Sequence, residues 1–253
     1  MTYNKMAAVY DTFMEQAPYE EWCNFTIHMI NKYRPNQVNK IVDLGCGTGQ
    51  IACQLAEADF QLTGIDLAPD MLSQAAARSS EESLSIQWIE QDLRSLSSLA
   101  DFDLAVSYCD VINYLTSKAE VKKTFDNVYD LLTSDGLFIF DVHSMSYVEN
   151  ALKDQVFSEV FDDLAYIWFC EGSENKGEMF HDLTFFVEED GKYDRFDERH
   201  HQYTFPYTVY KEILESAGFI LEGIYGDFSL EVLDQDQIEE AQRLFFVCTK
   251  QAK

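Results

Sequence analysis

The chain has 253 residues, of which 47% are hydrophobic, so it can bury the core of one domain or of one domain with an insertion. Its formal net charge is −27, from 45 acidic and 18 basic residues, which argues against binding of bare nucleic acid through Lys and Arg. No apolar run reaches the roughly 18 residues of a membrane span, and the first residues lack the apolar core of a signal peptide. The acidity indicates a well-solvated surface or, alternatively, attraction of a cationic substrate such as an amine.

Cysteine and histidine usage predicts neither a metal site nor a disulfide framework. The six cysteines show no Cys-x-x-Cys spacing, and with the five histidines they form no ligand cluster of a known spacing. Cysteines in apolar segments fit a reducing compartment. We therefore expect a cytoplasmic protein without a bound metal.

The first elements in chain order are helical. Residues 1–16 form an amphipathic segment, and Pro18 to Tyr33 is predicted to be a helix that Pro35 ends. Strands and helices then alternate from Lys40 to His143, as a parallel α/β sheet requires. The Ser117-x-x-Glu120 capping box opens the helix that runs to Leu132.

A glycine turn follows the first predicted strand. The segment Val42-Asp-Leu-Gly-Cys-Gly-Thr-Gly49 passes from a buried strand into a helix that begins at Gln50. Glycine permits a positive φ and close approach of a ligand, and the helix start offers unpaired N–H groups, so the turn predicts a nucleotide-type site. Gln50 stands where a dinucleotide turn needs a third small residue, and the Gly-Lys-Ser/Thr of a phosphate loop is absent.

Acidic residues also follow the next predicted strands. The second strand, 62–67, contains Asp66, about 20 residues past the turn, where an acid can accept both hydroxyls of a ribose. The alternative is that Asp66 caps the helix starting near Pro69. The third strand, 84–93, ends at Asp92, the fourth, 102–107, precedes Asp110, and the fifth, 136–141, precedes His143. Ligands of open parallel sheets bind at these strand ends.

The acidic-x-Gly-x-Gly-x-Gly pattern, with the acids in this order, resembles class I S-adenosylmethionine-dependent methyltransferases. The resemblance implies an α/β, Rossmann-like, seven-stranded, mostly parallel sheet with helices on both faces, and one methyltransferase domain spanning 1–253. It implies that S-adenosylmethionine is the cofactor and that the strands at 219–225 and 244–249 form an antiparallel pair. The implied cofactor-binding residues are Tyr10, Asp43, Gly45, Cys46, Gly47, Asp66, Leu67, Met71, Asp92, Leu93, Tyr108 and Asp110.

The segment 144–205 breaks the βα alternation. Antiparallel strands are predicted at 164–170, 179–187 and 195–203, with turns at 175–177 and 190–191. The insertion leaves the sheet at a strand end, so we expect a β lid that shapes the acceptor pocket; a dimerisation arm is the alternative. After it, residues 207–216 form a helix that Gly218 ends.

The start Ala8-Val-Tyr10-Asp11 resembles small-molecule N-methyltransferases that act on glycine and on amino sugars. The resemblance implies that Tyr10 reaches over the cofactor, although it could be a plain core tyrosine. It also implies that Tyr114 faces the methyl group, at a position where the sugar-amine enzymes often carry His.

His143 is the candidate general base because it lies at a strand end and titrates near neutrality. Its alternative is a neutral His that bonds a backbone carbonyl. On the strand 195–203, Glu198 and His200 share one face, so they are the candidate substrate residues, while Arg199 and His201 share the other.

The predicted function is therefore methyl transfer to a small-molecule acceptor, with nitrogen favoured over oxygen or carbon, by a monomer or homodimer. A nucleic-acid methyltransferase is the second possibility, although Tyr108-Cys-Asp-Val stands where amino-methylating enzymes carry Asn/Asp-Pro-Pro-Tyr, and no Pro-Cys pair is present. A non-catalytic S-adenosylmethionine-binding protein and a nicotinamide dehydrogenase are the remaining alternatives.

Overall fold

The computed structural model describes residues 3–251, and its helices and strands follow one another as an α/β chain with one β-rich interruption. The helices are α1 Tyr3–Phe13, α2 Tyr19–Tyr33, α3 Gln50–Glu57, α4 Pro69–Glu81, α5 Lys118–Leu131, α6 Met145–Tyr147, α7 Tyr207–Ala217 and α8 Gln235–Glu240. The strands are β1 Lys40–Leu44, β2 Gln61–Asp66, β3 Gln87–Glu90, β4 Phe102–Ser107, β5 Leu132–His143, β6 Val156–Val160, β7 Leu164–Gly172, β8 Glu178–Glu189, β9 Lys192–Tyr203, β10 Phe219–Gly226 and β11 Arg243–Lys250. Short 3₁₀ turns span Leu93–Ser95 and Val111–Tyr114, and a π turn spans Val148–Leu152.

Seven strands form the main sheet, in the order β10-β11-β5-β4-β1-β2-β3. Strands β1 to β5 pair in parallel, whereas β11 lies antiparallel to both β5 and β10. This arrangement confirms the predicted Rossmann-like fold and its closing antiparallel pair. The carboxyl ends of β1, β2, β4 and β5 consequently lie along one edge of the sheet, where the sequence places its candidate site residues.

Two apolar layers sandwich the main sheet. On one face, Ile41 of β1 packs in a cluster with Phe25 of α2 and Leu55 of α3. On the other face, Val42 packs in a cluster with Phe125 of α5, and α7 and α8 contribute to the same layer. Adjacent residues of β1 are thus buried on opposite faces, which explains why a central parallel strand reads as a continuous apolar run.

Helix termini follow the predicted signals. Ser117 caps α5 in a reciprocal capping box with Glu120, and Pro18 precedes the first residue of α2. Gly218 ends α7 with a φ of +99°, a conformation in which a Cβ would also approach the Tyr129 ring.

The third strand is shorter than the sequence predicts. Strand β3 ends at Glu90 because its partner β2 ends at Asp66, so no ladder is available further along the chain. Asp92 then accepts a hydrogen bond from the Arg94 N–H and starts a 3₁₀ turn. The prediction that strand 84–93 ends at Asp92 is therefore wrong, although Asp92 still follows the strand closely.

The predicted insertion contains a second, antiparallel sheet in the order β6-β7-β8-β9. Strands β7, β8 and β9 match the three predicted strands. The sequence analysis missed β6 because four of its five side chains are exposed, so the strand shows no apolar alternation. The predicted turn positions, 175–177 and 190–191, lie between the strands.

The N-terminal helix α1 packs between helix α4 and the second sheet. Met6 and Val9 of α1 pack in one cluster with Met71 of α4 and with Leu183 and Phe185 of the second sheet. Between residues 3 and 251, no helix has the length and apolar composition needed to cross a membrane.

Candidate active site

A cavity of about 590 Å³ lies between the carboxyl ends of the parallel strands and the inner face of the second sheet. Helix α1 contributes to its wall through Met6, Tyr10 and Phe13. All but one of the sequence-predicted site residues line this cavity, namely Tyr10, Asp43, Gly45, Cys46, Gly47, Asp66, Leu67, Met71, Asp92, Leu93, Tyr108, Asp110, Tyr114, His143 and His200. Glu198 is the exception: it is buried on the same face of β9 as His200 but does not line the cavity.

The glycine turn is shaped partly by packing and partly by open space. A Cβ on Gly45 would lie 2.5 Å from a methyl of Val111, and one on Gly49 would lie 2.7 Å from the Trp88 ring. Gly47 has a φ of +54° and no atom within 4 Å of a Cβ position, so its backbone faces the cavity without obstruction. The turn can therefore take a ligand close to its main chain at Gly47.

Asp66 holds this turn and also faces the cavity. Its Oδ2 accepts from the Gly47 N–H at 2.9 Å, and its Oδ1 accepts from the Ala68 N–H at 2.8 Å. Each oxygen retains a lone pair for a ligand hydroxyl. Burial raises the pKa of Asp66, and burial together with the charge of Asp66 raises the pKa of Asp43 to about 7.

The adjoining wall combines an apolar surface with an ion pair. Leu67 lines the cavity but is 61% exposed, whereas Met71 is buried. The guanidinium of Arg94 donates to both oxygens of Asp92, at 2.6 to 3.0 Å, and also to Glu120 at 2.7 Å. These hydrogen bonds lower the pKa of Asp92, so it remains a carboxylate.

A buried ionic cluster forms the opposite side of the cavity. Arg243 bridges Asp110, at 3.2 Å, and Asp141, at 3.0 Å. Asp141 is fully buried and also accepts from the Trp22 indole at 2.6 Å and from the Asp110 N–H at 2.8 Å. Burial raises the pKa of Asp141, whereas Arg243 and the Trp22 indole oppose that rise. When both carboxyl groups are ionised, two carboxylates face one guanidinium and the cluster has a net charge of minus one.

A directed chain of hydrogen bonds connects the second sheet to Asp110. The Trp168 indole, which can only donate, donates to His181 Nδ1 at 3.0 Å, so the proton of the neutral imidazole lies on Nε2. His181 Nε2 then donates to the Gln202 carbonyl at 3.2 Å, and the Gln202 amide donates to Asp110 Oδ2 at 2.7 Å. Burial would raise the pKa of Asp110, but His143, Arg243 and Gln202 outweigh it, so the pKa is lowered and Asp110 stays ionised.

The candidate catalytic side chains His143, Tyr114 and Tyr10 all lie on the cavity wall. His143 places Nε2 3.4 Å from Asp110 Oδ1, and burial lowers its pKa to about 4. Its Nδ1 is buried and bonds neither a carbonyl nor a side chain among the described residues. The Tyr114 hydroxyl lies 3.2 Å from His200 Nδ1. Burial raises the pKa of Tyr10 well above its usual value, so this cavity tyrosine keeps its proton.

An ionic contact fastens α1 to the glycine turn. Asp11 accepts from the Thr48 hydroxyl at 2.7 Å and forms an ion pair with Arg78 of α4. Arg78 in turn donates to the Thr48 carbonyl at 3.1 Å. The helix that covers the cavity is therefore attached to the same turn that forms its floor.

Sequence reasoning missed the cavity residues Arg243, His181 and Gln202. Knowledge of the strand pairing would have revealed two of them. Arg243 lies opposite His143 in the β11–β5 ladder, and His181 lies opposite His200 in the β8–β9 ladder. Gln202 lies two residues beyond His200 and so shares its face. Strand register, which the sequence pattern does not give, was the missing information.

The comparisons with known proteins agree with this geometry. Residues 41–136 match the profile of a methyltransferase domain. A candidate methyltransferase of Geobacillus sp. (strain WCH70) is 38% identical over 251 residues, which cover 99% of this chain and 100% of that protein. A solved S-adenosylmethionine-dependent methyltransferase from Clostridium acetobutylicum ATCC 824 superposes with a TM-score of 0.86 at 24% identity, over 99% of each chain. An S-adenosylmethionine-bound amino pentose methyltransferase from Micromonospora echinaspora gives 0.76 at 18% identity, over 96% of each chain.

Proposed function

This chain belongs to the S-adenosylmethionine-dependent methyltransferases, and we propose that it methylates a small molecule, in the first place an amine. The observation that carries the proposal is Asp110, a carboxylate kept ionised on the cavity wall. Such a site attracts an ammonium group. The formal net charge of −27 favours the approach of a cationic acceptor from a distance.

We propose that the cofactor lies along the glycine turn, with Gly45, Cys46, Gly47 and Asp43 around its amino-acid end. When bound, S-adenosylmethionine supplies a methyl group already activated by a positive sulfur. The open face of Gly47 and the remaining lone pairs of Asp66 support this placement, with Asp66 accepting from the ribose hydroxyls.

The adenine ring is assigned to the apolar wall. Leu67 and Met71 flank it, Leu93 and Asp92 lie at its edge, and the exposed surface of Leu67 within the cavity supports this assignment. Tyr10 and Tyr108 cover the cofactor from the side of the cavity opposite this apolar wall. Tyr108 is held by a hydrogen bond of 2.6 Å between its hydroxyl and that of Thr26.

The protein's own contribution to the reaction is mainly positioning. Asp110 holds an ammonium acceptor, and Tyr114 orients the acceptor nitrogen by a hydrogen bond. The sequence analysis gave the base role to His143; its contact with Asp110 and its pKa of about 4 support a different role, that of fixing the Asp110 carboxylate. Glu198 does not line the cavity, so it is not kept among the proposed acceptor contacts.

The segment 144–205 is proposed to be the acceptor subdomain of a single domain spanning 1–253. The second sheet supports this role because five of its residues line the cavity, namely Trp168, His181, Leu183, His200 and Gln202. We further propose a cytoplasmic location, because all six cysteines are free thiols. The acidity of the chain makes a nucleic-acid acceptor the weaker possibility.

A two-part experiment tests the proposal. Calorimetry should show binding of S-adenosylmethionine and S-adenosylhomocysteine and no binding of NADH. A panel of amines, alcohols and carboxylic acids is then screened for release of S-adenosylhomocysteine, and amines should be the active class. Binding without turnover of any panel member would favour a sensor protein, and turnover of alcohols or acids alone would refute the amine assignment.

A further inference from the structure

Three imidazoles line the cavity, those of His143, His181 and His200, and they differ in what their nitrogens can do. A group that removes a proton from an acceptor needs a nitrogen that is unprotonated and within reach of the acceptor, directly or through one hydroxyl or water. The contacts of the three rings separate them on this criterion.

His181 cannot take a proton without losing an existing hydrogen bond. Its Nδ1 accepts from the Trp168 indole at 3.0 Å, and its Nε2 donates to Gln202 at 3.2 Å. His143 differs in reach: its Nε2 lies 3.4 Å from Asp110 Oδ1, which favours a proton on Nε2, and its Nδ1, which has no partner among the described residues, is buried where an acceptor does not contact it. Both rings are structural parts of the wall.

His200 differs because its Nδ1 contacts a hydroxyl that lines the cavity. The Tyr114 hydroxyl and His200 Nδ1 are 3.2 Å apart, and the two rings meet edge to face with centroids 5.9 Å apart. Tyr114 belongs to the 3₁₀ turn after β4, whereas His200 comes from β9, 86 residues later in the chain. The pair therefore forms only when the second sheet docks against the strand ends.

We propose that His200 is the proton acceptor of the reaction and that Tyr114 passes the proton to it. An ammonium N–H of the acceptor gives its proton to the Tyr114 oxygen while the Tyr114 proton moves to His200 Nδ1. The products are a neutral amine with a free lone pair, an unchanged tyrosine and an imidazolium, so protons and charge balance. This inference rests on the proposed function, because only an amine that binds as ammonium needs this step.

The charges around His200 suit a base that is neutral before the reaction. Burial lowers the pKa of His200, the adjacent His181 lowers it further, and the carboxylate of Asp110 raises it. Among the described residues, His181 lies opposite His200 in the β8–β9 ladder, Asp110 and Tyr114 approach it from the turn after β4, and Glu198 and Gln202 share its face of β9. At neutral pH the imidazole can accept a proton, and Asp110 stabilises the imidazolium that results.

The test uses His200→Asn, Tyr114→Phe and the control His201→Gln in the full chain. Asparagine keeps an acceptor for the Tyr114 hydroxyl but cannot hold a proton. His201 is the next residue on β9 but points to the opposite face, where it bonds Glu178 at 2.9 Å and stacks on Phe180. The acceptor probes are ethylamine, 2-fluoroethylamine and 2,2,2-trifluoroethylamine, in which fluorine lowers the basicity of nitrogen with little change in size.

For ethylamine, His200→Asn should lower kcat roughly 100-fold, which is typical of a lost general base, and should remove the rise of kcat with pH. For trifluoroethylamine, which is already neutral at the assay pH, the loss should shrink to a few-fold. Tyr114→Phe should follow the same pattern, and His201→Gln should match the wild type. An equal loss with all three amines would indicate a merely structural role and overturn the inference.

A second measurement does not depend on turnover. Nitrogen-15 NMR of labelled histidine, assigned by the signal missing from His200→Asn, should show the His200 proton on Nε2, and Tyr114→Phe should shift the Nδ1 resonance. A proton on Nδ1 in the resting enzyme would overturn the inference. If none of the amines is a substrate while cofactor binds, the amine assignment fails separately, and the tautomer still decides whether Nδ1 can accept.

Discussion

The two walls of the cavity are built in different ways. The motif wall, defined by Asp43, Gly45, Gly47, Asp66 and Leu67, comes from one short stretch of chain and is held by main-chain N–H groups, as in the two bonds that Asp66 accepts. The opposite wall, which we call the assembled wall, comes from segments far apart in the sequence. Both walls lie at the same strand ends, but only the first is a local property of the chain.

The assembled wall consists of Asp110, His143, His181, Gln202 and Arg243, which are joined side chain to side chain. The contact between Arg243 and Asp110 spans 133 residues of sequence, and that between Gln202 and Asp110 spans 92. This wall exists only after β9 and β11 have taken their places beside the turn after β4. We infer that cofactor binding depends mainly on the motif wall, whereas acceptor binding depends on correct docking of both sheets.

Arg243→Met should have the largest effect and should act on the assembled wall. Because the buried Asp141 and the partly buried Asp110 would be left close together without their cation, we expect the free energy of unfolding to fall by about 3 kcal/mol. Chemical denaturation measures this change. Arg195→Met is the control, since the ion pair of Arg195 with Asp197 is exposed and should contribute nothing measurable. Equal stability of the two variants would mean that backbone and Trp22 contacts suffice for Asp141.

Asp66→Ala should damage the motif wall without disturbing the assembled wall. It removes a charged acceptor for the ribose, the bond to Gly47 in the glycine turn and the bond to Ala68 at the start of α4, so we expect cofactor affinity to fall by about 100-fold or more. Calorimetric titration of S-adenosylhomocysteine gives the affinity directly. The control Asp70→Ala removes an aspartate from the first turn of α4, outside the cavity wall. Unchanged affinity in Asp66→Ala would leave Asp66 a purely structural residue.

The difference between the walls also explains what the sequence could predict. The succession of strands along the chain, the glycine turn and Asp66 follow from local patterns: apolar runs, a glycine that needs positive φ, and an acid at a strand end. The same patterns predicted the faces of β9, so His200 was found. They also put Glu198 on that face, where it is buried outside the cavity wall, because alternation tells which face a residue occupies but not where along the strand the cavity ends.

The remaining errors have the same physical origin. Arg243 became a site residue through its register opposite His143, and register depends on which strands pair. The length of β3 was overestimated because a strand ends where its neighbour ends, as β2 does at Asp66. The prediction that His143 is the general base rested on its position at a strand end and stays a prediction, whereas its contact with Asp110 could not be read from the sequence.

The pH dependence of stability provides a sharper test of the motif wall. Asp43 has a pKa of about 7 in the folded protein, above its usual value of 3.8, so the folded protein holds this proton more tightly than the unfolded chain does. The resulting contribution to the free energy of unfolding is complete at low pH and is lost as pH rises through about 7. Asp43→Asn removes this loss, so its melting temperature should gain on the wild type between pH 4 and pH 7 and keep that gain above.

Thermal unfolding at pH 5 and pH 8, without cofactor, measures the gain. The control Asp101→Asn changes an exposed aspartate with a φ of +65°, a conformation that asparagine tolerates. The melting temperature of Asp101→Asn should differ from that of the wild type by the same amount at both pH values. If the melting temperature of Asp43→Asn also differed from the wild type by the same amount at pH 5 and pH 8, Asp43 would be ionised in the folded protein even at pH 5.

The smallest effect is expected for Leu67→Ala. The side chain is 61% exposed, so its truncation should leave the unfolding free energy unchanged, yet it should weaken cofactor binding a few-fold, by about 1 kcal/mol, because apolar cover over the adenine is lost. Val160→Ala is the matched control, since Val160 is 82% exposed on β6, outside the cavity wall. If both variants bind the cofactor as the wild type does, Leu67 gives no apolar contact to the ligand and the motif wall acts through its polar groups alone.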